Sequence, residues 1–272
     1  MIPILTSDSY RGFSNDIHDF GPGGTQPLFV GRIIWPGQTH ASDVVIKIYR
    51  PDTCGIANEV IGYIANKVRR IAQPLNAAIL LLEANHLIGV HDSIEKYVDQ
   101  RSGLIATWVT SLEQNTKPFS YIRRLPTFSA KQAKVFYKSL FCKSLSSVDH
   151  VTGNSDRHSG NFLYIDDLKY LAIDQGCVGG GLYWHTTWPD NRAKNQLLEI
   201  THTELSGSEL SSWTAEAILE HERTQSIWDN LKAEIECNLK NLLDDETCDT
   251  IVKYMDDRIT GSTYTESCGK LI

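Results

Sequence analysis

Residues 149–176 read DHVTGNSDRHSGNFLYIDDLKYLAIDQG, and this stretch decides the fold. Asn154, Asp156, Arg157, His158 and Asn161 crowd hydrogen-bonding groups into a short run. The apolar segment Phe162 to Ile165 follows at once and reads as a strand. Asp166 and Asp167 make a turn, and Tyr170 to Ile173 reads as a second strand. A polar loop therefore stands above a hairpin whose far end carries Asp174 and Gly176. Two carboxylates and one amide come from neighbouring ends of one rigid unit.

Magnesium-assisted phosphoryl transfer needs this set of groups. Mg²⁺ is a hard cation that takes a few protein oxygens and fills the rest of its shell with phosphates and water. A separate carboxylate must face the acceptor hydroxyl. In the protein-kinase catalytic loop the base Asp is followed five positions later by a metal-binding Asn, and Asp156 and Asn161 keep that spacing. Asp174-Gln175-Gly176 falls where the Asp-Phe-Gly element, with the second metal-binding Asp, belongs. The alternative is a polar turn in an ordinary hairpin.

Asn154 to Asn161 resembles the catalytic loop of HipA-like kinases, and is similar to the Asp-Arg-His-x-x-Asn loop of phosphatidylinositol 3- and 4-kinases. The resemblance is strongest over residues 149–176 and weaker over residues 21–61. It implies a protein-kinase-like fold that uses ATP and Mg²⁺. Asp156 then faces the hydroxyl, and Asn161 and Asp174 hold the metal. The family's central His maps onto His158, which either orients the loop or helps neutralise transition-state charge.

Upstream, Gly21 to Pro27 is the first punctuation in the chain. Leu28 to Trp35 follows as a strand, Pro36 to Gln38 as a turn, and Val44 to Tyr49 as a second strand. The glycines thus open a hairpin where a phosphate-covering loop would sit, made of Gly23, Gly24, Thr25 and Gln26. The phrase Gly24-Thr25-Gln26 is similar to the Gly-x-Gln of the HipA-like phosphate loop. Lys47 lies inside a β-branched strand, where its charge is costly to desolvate without an anionic partner. It reads as the ATP-contacting lysine, or else as an exposed strand-face residue. Ala57 to Ala65 reads as helical, with Glu59 near its start as the carboxylate partner of Lys47; Pro74 ends this helix. Ala77 to Leu82 and His86 to His91 read as strands. Leu104 to Val109 reads as the strand before a hinge, so the backbone of Thr107, Trp108 and Val109 would meet the adenine edge.

From Gln114 to Val148 there is no acidic residue, but there are Lys117, Arg123, Arg124, Lys131, Lys134, Lys138 and Lys143. Ser129 can cap a helix from Ala130 to about Leu145. The basic stripe on it is either a solvated face or a docking surface for an acidic partner. Gly179 to Gly181 suggests a mobile loop resembling an activation segment, followed by the aromatics Tyr183, Trp184 and Trp188. Thr201 to Glu204 and Ser206 to Glu209 match a capping box. Residues 209–258 look like two or three amphipathic helices, and the tail from Thr260 reads as loose.

The 272 residues suffice for a full core, with 41% apolar and 22% charged residues. A net charge of −7 leaves no overall footprint for nucleic acid or an acidic membrane. Six scattered cysteines without a Cys-x-x-Cys point to reduced thiols, which suits a cytoplasmic protein. The longest aliphatic run, Ala77 to Leu82, is far too short to span a membrane. The expectation is an α+β chain with a bilobal protein-kinase-like fold. Residues 1–110 form a β-rich nucleotide-binding lobe and residues 111–272 a mostly helical catalytic lobe. The expected activity is an ATP- and Mg²⁺-dependent kinase acting on Ser/Thr of a protein substrate. A lipid or small-molecule kinase, or a non-catalytic nucleotide-binding module, are the alternatives.

Overall fold

The computed structural model describes residues 1–13, 26–88, 94–166, 169–188 and 194–269. The protein is α+β. Its described part separates into two compact units, one of residues 1–56 and 74–114, the other of residues 57–73 and 115–272.

The first unit is built on a mixed six-stranded sheet. In chain order come β1 (Ile4–Leu5), β2 (Tyr10–Phe13), β3 (Leu28–Ile33) and β4 (Ser42–Ile48), then helix α1 (Gly55–Val68), β5 (Ala77–Leu82) and β6 (Ile105–Ser111). The sheet order is β1-β5-β6-β4-β3-β2, parallel only between β1 and β5. In β4 the side chains alternate as the pleat demands: Val44, Ile46 and Ile48 are fully buried while Val45 and Lys47 are half-buried. The buried face meets Ile33, Leu80, Leu82 and Val109 in one apolar cluster.

Strand β2, which the sequence does not announce, pairs antiparallel with β3. Tyr10–Phe13 is short, contains Gly12 and shifts register against β3, which hides its period. The strand expected from His86 to His91 is not formed in its described part, because Ala84–Leu87 makes a 3₁₀ turn. The edge beside β5 is occupied by β1 instead, through Ile4 opposite Ile79.

The second unit holds most of α1 and a three-stranded sheet among helices. Its elements are β7 (Lys117–Pro118), α2 (Phe119–Ile122), α3 (Ala130–Lys138), α4 (Leu140–Thr152), β8 (Phe162–Asp166), β9 (Lys169–Ala172), α5 (Gln196–Glu204), α6 (Gly207–Ser226), α7 (Trp228–Leu239), α8 (Asp245–Thr260) and α9 (Thr263–Gly269). Strand order is β7-β8-β9, antiparallel throughout. Ser129 caps α3 in a full capping box with Gln132. The single helix expected from Ala130 to Leu145 is broken at Ser139, whose extended backbone ends α3 while its hydroxyl caps α4 at Cys142 N–H. Thr201 lies inside α5, which Asn195 caps through Leu198 N–H at 3.1 Å. Ser206 stands at the start of α6 without a side-chain cap bond, and Glu209 reaches Lys134 and Lys138 instead. Nor is the tail loose in its described part: α9 buries Tyr264 and Cys268. None of the six cysteines is in a disulfide.

Helix α4 is the hub of this unit. Every residue from Cys142 to Thr152 is buried, including Ser144, Ser146, Ser147, Asp149 and His150. A buried polar group is costly unless it is hydrogen-bonded, and the surrounding helices supply the partners. Ser144 donates to Glu220 at 2.7 Å, and that carboxylate also meets Arg69 of α1's C-terminal extension at 2.7 Å. Ser147 Oγ lies 3.1 Å from His221 Nδ1 and 2.8 Å from Thr224 Oγ1. His150 Nε2 lies 3.1 Å from Thr263 Oγ1, and Tyr264 donates to Ser146 at 3.2 Å. Tyr264 stacks on His221 with ring centroids 4.4 Å apart.

Burial and then the nearby Arg258 cation hold both imidazoles neutral, His221 pushed down to about 4 and His150 to about 2. Both lie below the unfolded value of 6.5, so the unfolded chain binds more protons between these limits. The stability they contribute is complete above pH 6.5 and drains as pH falls through about 4. The melting temperature should therefore drop from pH 7 to pH 4.5 by more in the wild type than in His221→Gln. Parallel profiles for the two proteins would contradict the neutral buried imidazole.

Candidate functional site

The polar loop begins where α4 ends. Gly153 caps the helix in the left-handed region, φ 67°, and a Cβ there would sit 2.3 Å from the Tyr254 hydroxyl oxygen. The chain then turns through Asn154, which is buried and whose Oδ1 accepts the Asp156 N–H at 3.3 Å. Asn161 Nδ2 donates to the Asp156 carbonyl at 2.8 Å, closing the five-residue interval as a ring. The Ile173 N–H donates to the Asn161 carbonyl at 3.1 Å, which places Asp174 one residue beyond Asn161 across the hairpin end. Asp156 and Asp174 are both exposed, whereas Asn154, Arg157, Asn161 and Gln175 beneath them are buried. The segments that carry the three residues are thus joined through Asn161, whose amide binds the Asp156 carbonyl and whose own carbonyl binds the Ile173 N–H.

Arg157 joins the parts of this scaffold. Its Nε and Nη2 donate to the two carboxylate oxygens of Asp149, each at 2.9 Å, and both side chains are fully buried. Nη1 donates to the Ile173 carbonyl at 2.7 Å and to the Asp174 carbonyl at 3.4 Å. The remaining Nη2 proton goes to Gln175 Oε1. A guanidinium has five N–H donors, and here each has an acceptor. Burial pushes the Asp149 carboxyl up, and the guanidinium opposes that shift.

The segment after β9 is tied to α1. Asp174 adopts φ 58°, an uncommon conformation for a non-glycine residue that marks a position held by its surroundings. The Gln175 N–H donates to Glu59 Oε2 at 3.0 Å. Gly62 gives Gln175 its room, since a Cβ at 62 would lie 2.5 Å from the Gln175 side chain. Asn58 Nδ2 donates to the carbonyls of Gly176 at 2.6 Å and Gly181 at 2.9 Å, and Asn58 Oδ1 accepts the Trp184 indole N–H at 2.6 Å. The glycine segment expected to be mobile is instead pinned, with Trp184 buried and Gly179 in the left-handed region against its ring. Tyr183 and Trp188 are exposed.

His158 is exposed, and its Nδ1 accepts the Gly160 N–H at 2.9 Å, an arrangement that shapes the loop. Cys177 Sγ lies 3.9 Å from Asp156 Oδ2. Glu59 belongs to the second unit, and Lys47 to the first. There Lys47 is half-buried on β4, opposite Leu28 of β3 and Trp108 of β6, with Nζ 5.3 Å from the Tyr49 ring centroid. Gly23, Gly24 and Thr25 lie outside the described residues. Gln26 is described, and its Oε1 is buried with no hydrogen-bond partner among the described residues.

Thr107, Trp108 and Val109 do not suit the adenine-edge role. They sit mid-strand in β6, paired with Ile48, Lys47 and Ile46 on one side and Leu80, Ile79 and Ala78 on the other. A central strand commits its backbone groups to two ladders. β6 ends at Ser111, and the first unit ends at Gln114.

No group of three or more His, Cys, Asp or Glu side chains that could hold a metal occurs among the described residues. The pair Asn161 and Asp174 still fits Mg²⁺, which needs only one or two protein oxygens when phosphates complete its shell. The Asn161 amide nitrogen is committed to the Asp156 carbonyl, which leaves Oδ1 as the end suited to a cation.

The basic block is largely engaged inside the second unit. Lys134 and Lys138 meet Glu209 at 2.9 and 2.5 Å, Lys143 meets Glu216 at 2.6 Å, and Arg123 meets Glu204 at 2.7 Å. Lys131 and Arg124 are exposed. No helix among the described residues is long and apolar enough to cross a membrane. No protein-family model and no curated protein matches the chain.

Asn58, Asp149 and Gln175 are the scaffold residues that sequence reasoning missed. Asp149 carried a signal, being the sole acid of α4. Asn58 carried none, since its partners lie more than a hundred positions away, and the pattern around Gln175 did not mark the bonds of its amide to Arg157 and Asn154.

Removing one partner of a buried ion pair strands the other charge and costs about 3–5 kcal/mol. Arg157→Met should lower unfolding stability by about that amount, and the double variant Asp149→Leu with Arg157→Met should recover part of the loss. Denaturant melts decide it: a single variant costing less than about 1 kcal/mol would place the pair in solvent.

Proposed function

We propose that this protein is an ATP- and Mg²⁺-dependent kinase of protein-kinase-like fold that transfers the γ-phosphoryl group to a hydroxyl. In this reading the first unit is the small nucleotide-binding lobe and the second the large catalytic lobe. The observation that carries it is the ring of bonds that brings Asp156, Asn161 and Asp174 to one hairpin end. Their order and spacing are those of a kinase loop and its Asp-x-Gly element. The strand plan of the first unit adds support. β2 and β3 flank the glycine-rich segment, and Lys47 lies on the next strand, the place of the ATP-contacting lysine in protein kinases. A Ser/Thr hydroxyl of a protein is the acceptor we assign, on the resemblance of residues 154–161 to HipA-like kinases.

Asp156 offers an exposed carboxylate on a backbone fixed by Asn154 and Asn161. It orients the acceptor hydroxyl and takes its proton as that oxygen bonds to the γ-phosphorus, while the bond to the β-phosphate oxygen breaks and ADP leaves. Asn161 Oδ1 and the Asp174 carboxylate would hold Mg²⁺, which when bound neutralises phosphate charge. His158 shapes the loop through Gly160. Phosphoryl transfer depends mostly on positioning and charge neutralisation, which a rigid scaffold under exposed carboxylates supplies.

The two carboxylates should separate by role. Ligands that bind only the folded state raise its melting temperature. Asp156→Asn should keep the Mg-ATP-dependent thermal shift and lose turnover by roughly two or more orders of magnitude. Asp174→Asn should lose most of the Mg²⁺-dependent shift together with turnover. Unchanged turnover in both variants would refute the kinase assignment.

A further inference from the structure

We infer that Gln175 is a positioning residue whose buried amide locks the Asp174 backbone in one arrangement, so that the metal-binding Asp is held ready rather than switched. The inference rests on the kinase reading for the identity of the metal site. Its structural part rests on contacts alone.

In protein kinases the residue between the Asp and Gly of this element is Phe, and its apolar packing sets active or inactive states. An apolar ring can leave one pocket for another without breaking hydrogen bonds. Gln175 cannot move so cheaply. Its Oε1 accepts from Arg157 Nη2 and, at 3.4 Å, from Asn154 Nδ2. Its own N–H is held by Glu59 at 3.0 Å, and Val178 N–H donates to its carbonyl at 3.2 Å. The side chain is 4% exposed and fills the notch above Gly62.

Withdrawing Gln175 would leave a donor of the fully buried Arg157 without its acceptor. That same guanidinium grips the carbonyls of Ile173 and Asp174. The residues before and after the Asp174 carboxylate are therefore held by one cation, with Asp174 in its left-handed conformation between them. A bistable element needs two packings of similar energy, and a second packing here would first have to break these bonds of Gln175.

The test compares Gln175→Met, which keeps length and loses the acceptor, with Gln175→Glu, which keeps an acceptor for Arg157. Amide hydrogen exchange over residues 173–178 and the Mg²⁺ concentration for half-maximal turnover are measured on the full chain. Gln175→Met should speed exchange at least tenfold over these residues and raise the Mg²⁺ requirement several-fold, with ATP affinity in the absence of Mg²⁺ unchanged. Gln175→Glu should restore both toward wild type. Wild-type exchange and Mg²⁺ dependence in Gln175→Met would overturn the inference. So would faster exchange with an unchanged Mg²⁺ requirement, which would reduce Gln175 to packing. If the wild type neither binds nor turns over Mg-ATP, the kinase reading fails, and the exchange comparison alone judges the lock. A Gln175→Met protein that does not fold is replaced by Gly62→Ala, which presses on Gln175 from α1 and should shift exchange in the same direction.

Discussion

The buried ion pair of Asp149 and Arg157 is the constraint from which the second unit is organised. A guanidinium out of water is tolerable only when its donors are met, and this one spends them on a helix, a loop and the end of a hairpin. The pair therefore contributes geometry more than net stability. It obliges α4, the polar loop and the segment after β9 to be in place together. The other polar groups of α4 extend the same obligation outward, through Glu220, His221 and Tyr264, to α6 and α9.

The candidate site divides its labour by depth. Carboxylates that would act on a substrate stand in solvent, and the amides and the cation that aim them are buried. Buried hydrogen bonds in a low-dielectric interior resist displacement.

Much of this was legible in the chain. The hairpin of β8 and β9 follows from a local pattern of apolar run, acidic turn and apolar run, and β5 matches its aliphatic stretch from Ala77 to Leu82. The linkage of the Asp156, Asn161 and Asp174 segments was readable because they lie within twenty residues of one another. Other features were settled by tertiary contact. β2 is a strand because β3 needs a neighbour, not because Tyr10–Phe13 alternates clearly. The break at Ser139 is a choice between two helix caps, which periodicity does not report. Thr107 to Val109 were read as a strand, correctly, but the strands on both flanks take the backbone groups that a ligand would need. Arrangement of the tail into α9 depended on a buried place for Tyr264 beneath α4.

The reach of those α4 contacts has a consequence for synthesis on the ribosome. Ser146 waits for a tyrosine 118 residues later, His150 for a threonine 113 residues later, and the His150 carbonyl for an arginine 108 residues later. Until α8 and α9 have left the exit tunnel, the hub helix can bury its apolar face only by burying polar groups without these partners. Nonlocal closure of this kind slows folding and lengthens the life of partly collapsed chains. The second unit thus closes its interior only once α9 has been made, more than a hundred residues after the hub helix that it completes.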